Sequence, residues 1–197
     1  MDFLSYMIGK MSGSGGGGEE NSIEKYFEEG HAEVILPTAK KLKYRVFADD
    51  RTITTLSIPK VKDIGDYAFS SCSYLTTAFL SNELETIGER AFYYCRNLEL
   101  TSLPDSVVNI KNDAFNYCQK VKLTSIPKSV ANIGSGAFQQ CGLTSITFEG
   151  TPTSIASNAF YSCSGLRTIN VPWAEGEVAN APWSAGLATI NYNYKEE

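Results

Sequence analysis

Five cysteines are the residues of this sequence with the widest range of chemistry, because thiolates bind zinc, attack carbonyl carbons and form disulfides. They follow one another at steps of 22 or 23 residues: Cys72, Cys95, Cys118, Cys141 and Cys163. The sequence has no C-x-x-C pair and no cluster of histidines that would complete a zinc site. Five equivalent thiols have no preferred pairing and leave one over, so we expect buried free cysteines, although the expected spacing also allows disulfides.

The other polar candidates do not form a catalytic set. A single histidine, His31, excludes any two-histidine metal site within the chain, and no G-x-S-x-G elbow surrounds a serine. His31 follows a Glu-Glu-Gly stretch and is predicted to lie in a surface loop. Asp49 and Asp50 are sequence neighbours, which favours a solvated loop over an acid/base pair. We predict no enzyme activity, no metal and no cofactor; the enzyme alternative is a hydrolase that uses His31.

The cysteines belong to a repeated phrase. It reads IGDYAFSSC, IGERAFYYC, IKNDAFNYC, IGSGAFQQC and IASNAFYSC, with a weaker first copy, LKYRVFADD. The phenylalanine of each copy recurs every 22 or 23 residues, at Phe47, Phe69, Phe92, Phe115, Phe138 and Phe160. A fixed period of this length is typical of stacked repeat proteins.

Each repeat predicts two short extended pieces and a turn. In LTSITF and LRTINV, apolar residues take the first, fourth and sixth places, which indicates a strand with one irregular step. In several repeats a proline then ends the strand, and V-x-x-I gives a second extended piece. The Phe and Cys of A-F-x-x-C are three apart, the spacing of one side of a helical turn. One such coil cannot bury its apolar side chains alone, so stacked coils must form the core, with each phenylalanine between its counterparts.

The joint pattern C-x-x-L-x-x-I-x-I-P-x-x-V-x-x-I-G-x-x-A-F-x-x-C resembles the bacterial BspA-type leucine-rich repeat over about residues 32–172. The resemblance implies an α/β fold: a right-handed solenoid of six to seven coils with a parallel sheet on its concave face and short helical turns outside. The sequence departs from the pattern in residues 97–104 and 121–127, where the apolar steps are two then three instead of three then two. We expect the strand irregularity to move by one position there.

Three segments are predicted: a leader and linker at 1–22, the solenoid at 23–172 and a cap at 173–197. Residues 12–18, SGSGGGG, have the composition of a flexible linker. The leader before them is either a disordered tail or a docking peptide that buries Phe3, Leu4, Tyr6, Met7 and Ile8, and a leader of this kind resembles those of small phage and prophage structural proteins. Trp173 and Trp183 are predicted to cover the end of the stack; the alternative is exposed tryptophans that stack on a ligand.

Charge and hydropathy exclude several partners. The net charge of −5 and pI near 5.0 give no reason to bind nucleic acid or anionic lipid. No stretch reaches the roughly 18 apolar residues of a membrane span, and the N-terminus does not read as a signal peptide.

The remaining candidate is a binding surface formed by the outward residues of the strands. This predicted strip is rich in hydroxyl groups and consists of Thr55, Ser57, Thr77, Phe79, Ser102, Ser125, Ser145, Thr147, Thr168 and Asn170. A strip of this kind either binds a protein or glycan surface or is an ordinary sheet exterior. A second candidate patch contains Tyr93, Tyr94, Tyr117 and Tyr161. We predict an interaction or adhesion module attached through its leader to a phage or phage-like particle; the alternative is a bacterial surface or secreted adhesin.

Overall fold

The computed structural model describes residues 24–28 and 31–195, with side chains described for residues 33–195. Short strands and turns build this part of the chain. In chain order the strands are β1 (Glu24–Glu28), β2 (His31–Ile35), β3 (Lys41–Leu42), β4 (Ile53–Ser57), β5 (Asp63–Ile64), β6 (Thr77–Phe79), β7 (Thr86–Ile87), β8 (Asn109–Ile110), β9 (Ser125–Ile126), β10 (Asn132–Ile133), β11 (Ser145–Phe148), β12 (Ser154–Ile155), β13 (Thr168–Asn170) and β14 (Thr189–Asn191). His31 therefore begins a strand and does not lie in the predicted loop.

The strands form three sheets. Sheet A has the order β1-β2-β4-β6, sheet B the order β12-β10-β8-β7-β5-β3, and sheet C the order β14-β13-β11-β9. All neighbours are parallel except β1 and β2, which are antiparallel. Successive coils thus supply successive strands, which confirms the predicted stack of coils and its two extended pieces per repeat.

A column of phenylalanines runs through the core. The rings of Phe92 and Phe115 lie 5.4 Å apart and within 3° of parallel. The neighbouring pairs along the column repeat this arrangement at 5.3–5.7 Å, from Phe47 to Phe160. All six rings are buried, so the predicted sandwich of each internal ring between its counterparts is confirmed.

Sheet B holds its coils close together at the isoleucines. The second residue of each of its strands is buried: Leu42, Ile64, Ile87, Ile110, Ile133 and Ile155. Glycine follows several of these residues because the coils approach each other there. A Cβ atom on Gly88 would lie 2.6 Å from the carbonyl oxygen of Ile64, closer than any side chain tolerates.

The predicted short helical turns were wrong: the described residues contain no helix. In the second coil, Ala68 N and Cys72 N close three-residue turns within the coil, on the oxygens of Gly65 and Phe69. The residue between them, Phe69, donates its N–H instead to Ala91 of the next coil, at 2.8 Å.

Alternate residues in this segment therefore bond within and between coils. The alternation needs left-handed backbone at two places per turn, and Tyr67 and Ser71 have φ of 60° and 63°. A helix would use every N–H inside its own coil and leave none to join the stack. A Phe and a Cys three residues apart are compatible with a helical turn and with these tight turns. The spacing alone therefore led to the wrong prediction of a helical turn.

One coil interrupts the outward sheet. Residues 97–104 contain no strand, and they separate sheet A from sheet C. The apolar residues Leu98, Leu100 and Leu103 are nevertheless buried, which confirms the predicted steps of two then three. Glu99 N still donates to Thr76 O at 2.8 Å, and Lys122 N donates to Leu100 O at 2.9 Å, so main-chain bonds continue across this coil although it contains no strand.

The C-terminal segment closes the phenylalanine column with tryptophans. Trp183 is fully buried with its ring centroid 6.5 Å from that of Phe160, and Trp173 is 5.2 Å from Phe148 in an edge-on contact. Their burial agrees with a capping role and leaves no free face for a stacked ligand. The same segment adds a strand that sequence reasoning missed, β14, whose T-I-N repeats the T-I-N of β13.

Candidate binding surface

Sheet C brings half of the predicted strip into register. Ser145 lies beside Thr168, and Thr147 lies between Ser125 and Asn170. Because alternate residues of a strand face the same side, these side chains share the outward face while the isoleucines between them are buried. The result is a row of neutral donors and acceptors on parallel strands.

A side-chain ladder orients this row. Asn170 donates through Nδ2 to Thr147 Oγ1 at 3.1 Å, and Asn191 donates to Asn170 Oδ1 at 2.8 Å. Asn170 is only 9% exposed because both neighbours cover it. Its role in binding stays a prediction, and in the structure its amide group positions Thr147 and Asn191.

Sheet A carries four more of the ten predicted residues. Thr55 pairs with Thr77, and Ser57 pairs with Phe79. Phe79 is 60% exposed, an apolar ring among hydroxyl groups. Ser102 is exposed but lies in the interrupting coil, so the ten predicted residues form two groups and not one continuous ladder.

A second polar row lies on sheet B and was missed. Its first strand positions read Lys41, Asp63, Thr86, Asn109, Asn132 and Ser154, all in register. Asn132 donates to Asn109 Oδ1 and Ser154 donates to Asn132 Oδ1, both at 2.9 Å. Beside them is an open groove of about 290 Å³. The polar residue before each repeated isoleucine is the sequence signal that could have revealed it.

The tyrosines gather on the turn face. The ring centroids of Tyr94 and Tyr117 are 4.2 Å apart, and Tyr93 lies 4.6 Å from Tyr94. Arg90 and Arg96 lie over Tyr93 and Tyr94. These three tyrosines pack on each other across coils, whereas Tyr161, from the same predicted patch, is 53% exposed.

The cysteines form a row of buried free thiols. Each thiol donates a hydrogen bond to the carbonyl oxygen of the phenylalanine in the preceding coil, at 2.9–3.1 Å. Burial raises the pKa of Cys95, Cys118 and Cys141 well above the usual value, and that of Cys163 to about 11. Thiols held protonated in this way are poor nucleophiles.

Asp49 and Asp50 are engaged separately. Asp49 pairs with Arg45 at 2.9 Å, and Asp50 accepts hydrogen bonds from the main chain and hydroxyl of Thr52. The two carboxylates therefore stabilise a turn, as the sequence indicated. The leader residues Phe3, Leu4, Tyr6, Met7 and Ile8 lie outside the described part of the chain.

Comparison with models of protein families identifies the family of this chain. Six copies of the BspA type leucine-rich repeat region match residues 40–167, more than half of the chain. The chain belongs to the BspA-type leucine-rich repeat family. No curated protein matches it.

Three solved structures resemble this chain in fold. The T. pallidum leucine-rich repeat protein TpLRR is 24% identical, with a TM-score of 0.64, over 76% of this chain and 81% of that protein. The pneumococcal vaccine antigen PcpA is 22% identical with a TM-score of 0.64, over 83% of this chain and 42% of the antigen. A leucine-rich cell surface protein from Faecalibacterium prausnitzii is 23% identical with a TM-score of 0.54, over 81% of this chain and 55% of that protein.

The described part of this BspA-type chain contains no helix that is long and apolar enough to cross a membrane.

Proposed function

We propose that this protein is a non-enzymatic interaction or adhesion module that binds a protein or glycan surface through the outward faces of sheets A and C. The observation that carries the proposal is the register of Ser145 with Thr168 and of Thr147 with Asn170. Strands about 4.8 Å apart repeat a hydroxyl or amide group at each step. Such a row can bind a partner surface on which hydrogen-bonding groups also repeat at a fixed spacing.

The chemistry of the side chains in this row limits the kinds of partner that it can bind. Its side chains are uncharged, so they recognise hydrogen-bonding groups and offer no net charge to phosphates. Phe79 adds one large apolar ring, and aromatic anchors surrounded by polar groups carry much of the energy of protein interfaces. Hydroxyl groups of a glycan and main-chain amides of a protein both fit this combination.

Substitutions at exposed positions test the face without disturbing the core. Phe79→Asp changes an exposed ring on the strip, and Tyr161→Asp changes an equally exposed ring on the turn face. Labelled wild-type protein and both variants are applied to an array of purified glycans and to intact bacterial cells. We expect Phe79→Asp to weaken retention at least tenfold and Tyr161→Asp to leave it unchanged. Loss with Tyr161→Asp alone would place recognition on the turn face and overturn the proposal.

The place of action is the second part of the proposal. Support comes from the sequence of the leader, whose five large apolar residues precede a glycine-rich linker. The protein is anchored through residues 1–22 to a phage or phage-like particle; a bacterial surface or secreted adhesin is the alternative, favoured by the fold it shares with a cell surface protein.

Sedimentation of particles distinguishes attachment to a phage-like particle from a role as a surface adhesin. Particles from induced cells are probed by antibody for the full chain and for a chain without residues 1–22. Co-sedimentation that requires the leader supports particle attachment. Recovery of the full chain with the cell envelope instead supports the adhesin.

A further inference from the structure

The last strand of the stack has an open edge. Thr189 N donates to Arg167 O at 2.8 Å, and Asn191 O accepts from Val171 N at 3.0 Å. Alternate residues of a parallel strand bond to the same neighbour, so the N–H and C=O of Ile190 point to the opposite edge of β14. No strand in residues 24–28 or 31–195 pairs with that edge.

The chain after β14 turns away from this edge. Tyr194 N donates to Val171 O at 2.9 Å, and Asn193 N donates to Trp173 O at 3.0 Å. Residues 193 and 194 therefore return over the preceding coil and do not pair with the outer edge of β14, while the Ile190 side chain is partly buried against the core.

The same end exposes an apolar side chain. Leu187 is 66% exposed, whereas the residues in the same place of earlier coils, Leu143 and Leu166, are at most 1% exposed. Each earlier leucine is covered by the next coil. Leu187 occupies the place of a core residue, and no coil in the described part of the chain covers it.

The charge of the two ends of the stack differs. At the other end, β1 has the sequence EKYFE, with three charged residues of five, a common protection of edge strands. Residues 178–194 contain no charged residue. In a two-fold contact each group near the axis meets its own copy, so a charge would face a like charge. The uncharged strand β14 is suited to a second copy of itself, and the charged residues Lys195, Glu196 and Glu197 come after it.

We propose that two copies of this chain pair through β14, antiparallel and centred on Ile190. β13 and β14, both T-I-N, already pair side by side in parallel, with Asn191 donating to Asn170. The antiparallel contact instead places Thr189 opposite Asn191 of the partner subunit. A two-fold axis normal to the sheet keeps Thr189 and Asn191 of both copies on the outward face. It also covers Leu187 and joins the two sheets C into one.

Such a dimer doubles the outward row. Two rows held on one continuous sheet engage a repetitive surface together, and the second contact then forms at high effective concentration. The dimer itself does not depend on the proposed binding function and is tested without any ligand.

The mass of the purified full chain in solution tests the pairing. Light scattering across a dilution series measures dimer dissociation for the wild type, for Leu187→Lys, and for Tyr161→Lys as an exposed control on the turn face. We expect Leu187→Lys to raise the dissociation constant at least 100-fold, with a melting temperature equal to that of the wild type at dilutions where both are monomeric, and Tyr161→Lys to remain dimeric. A monomeric wild type, or a dimer indifferent to Leu187→Lys, overturns the proposal.

Disulfide trapping tests the register. In the proposed pairing, residue 189 opposes residue 191 of the partner subunit with their Cα atoms about 4.5 Å apart, within disulfide range. Three samples are oxidised with copper phenanthroline and oxygen, which accept the electrons: Thr189→Cys alone, Asn191→Cys alone, and a mixture of the two. The native cysteines do not interfere because they are buried. We expect covalent dimers only in the mixture. Cross-linking of either variant alone, or of none, contradicts the antiparallel register.

Discussion

The thiol of Cys118 donates a hydrogen bond to the carbonyl oxygen of Phe92 in the preceding coil, at 2.9 Å. The same oxygen accepts the N–H of Cys95, at 3.1 Å, which closes the turn of its own coil. The cysteine therefore links two coils and is more than the small apolar filler that its repeat position predicts. Replacement by alanine or valine would leave this oxygen with one partner fewer.

The buried thiols are expected to make the free energy of unfolding fall at alkaline pH. Native burial raises the pKa of Cys95 and Cys118 well above the usual value near 9, so the folded chain keeps protons that the unfolded chain releases. The free energy of unfolding is then constant below about pH 9 and falls as pH rises, by about 1.4 kcal/mol per pH unit for each such thiol. Urea unfolding between pH 8 and pH 10.5 measures the slope.

Cys118→Ala provides the control for this prediction. It removes one titrating thiol while the lysines and tyrosines remain, so its slope above pH 9 is expected to be shallower by the contribution of one thiol. It also lowers the free energy of unfolding at pH 7 by about 1 to 2 kcal/mol through the lost hydrogen bond and volume. Parallel curves for the two proteins would contradict the raised pKa.

The repeat itself made much of the fold predictable from the sequence. A phenylalanine that returns every 22 or 23 residues can be buried only by its own copies, so the stacked column from Phe47 to Phe160 followed from spacing alone. The register of the outward residues followed from the same argument, since equivalent positions of a parallel stack lie side by side.

The conformation of the turns could not be predicted in this way. A step of three residues from Phe69 to Cys72 suits a helical turn and a pair of tight turns equally, and only the hydrogen bonds between coils select the second. The final strand was missed because its step from Asn170 to Asn191 is 21 residues, shorter than the period. The outward position of Phe79 followed from the pattern, whereas the burial of Asn170 did not, because it depends on side-chain hydrogen bonds to the neighbouring coils.

Left-handed backbone at Gly136 gives a second prediction. Its φ is 61°, and a Cβ atom there would collide with Oδ1 of Asp113, a carboxylate already held by Arg90 and Asn116. Gly136→Ala is therefore expected to lower the free energy of unfolding by about 2 to 3 kcal/mol, from backbone strain and the displaced carboxylate.

Gly176 is the matched control. It also has positive φ, at 87°, but an added Cβ atom meets no atom within 4 Å. Gly176→Ala should show the backbone strain alone, about 1 kcal/mol. Equal losses for the two variants in urea unfolding would show that the contact with Asp113 has no cost.

The interrupted coil should be the least protected part of the outward sheets. Thr101 and Ser102 are exposed and lie in a segment without a strand, whereas Thr147 N in β11 donates to Thr124 O at 3.0 Å. Amide exchange requires opening of such bonds. We expect the amides of Thr101 and Ser102 to exchange at least 100-fold faster than that of Thr147, measured by exchange followed by NMR. Similar protection at both places would show that the coil joins sheets A and C into one ladder.

Removal of one ring from the column tests what holds the stack together. Phe115 has a parallel ring on each side, at 5.4 Å and 5.7 Å, whereas Phe47 has one such neighbour among the described residues. Phe115→Ala leaves a cavity between two coils that are fixed by their main-chain bonds and cannot collapse, so it is expected to cost about 3 to 5 kcal/mol.

The two other phenylalanine sites separate burial from stacking. Phe47→Ala should cost less than Phe115→Ala because only one ring loses its neighbour. Phe79→Ala, at an exposed ring, should change the free energy of unfolding by less than about 0.5 kcal/mol. Urea unfolding followed by circular dichroism gives all three values. Since the main-chain bonds between coils are the same in each variant, a loss at Phe115 no larger than that at Phe79 would mean that those bonds, and not the column of rings, stabilise the stack.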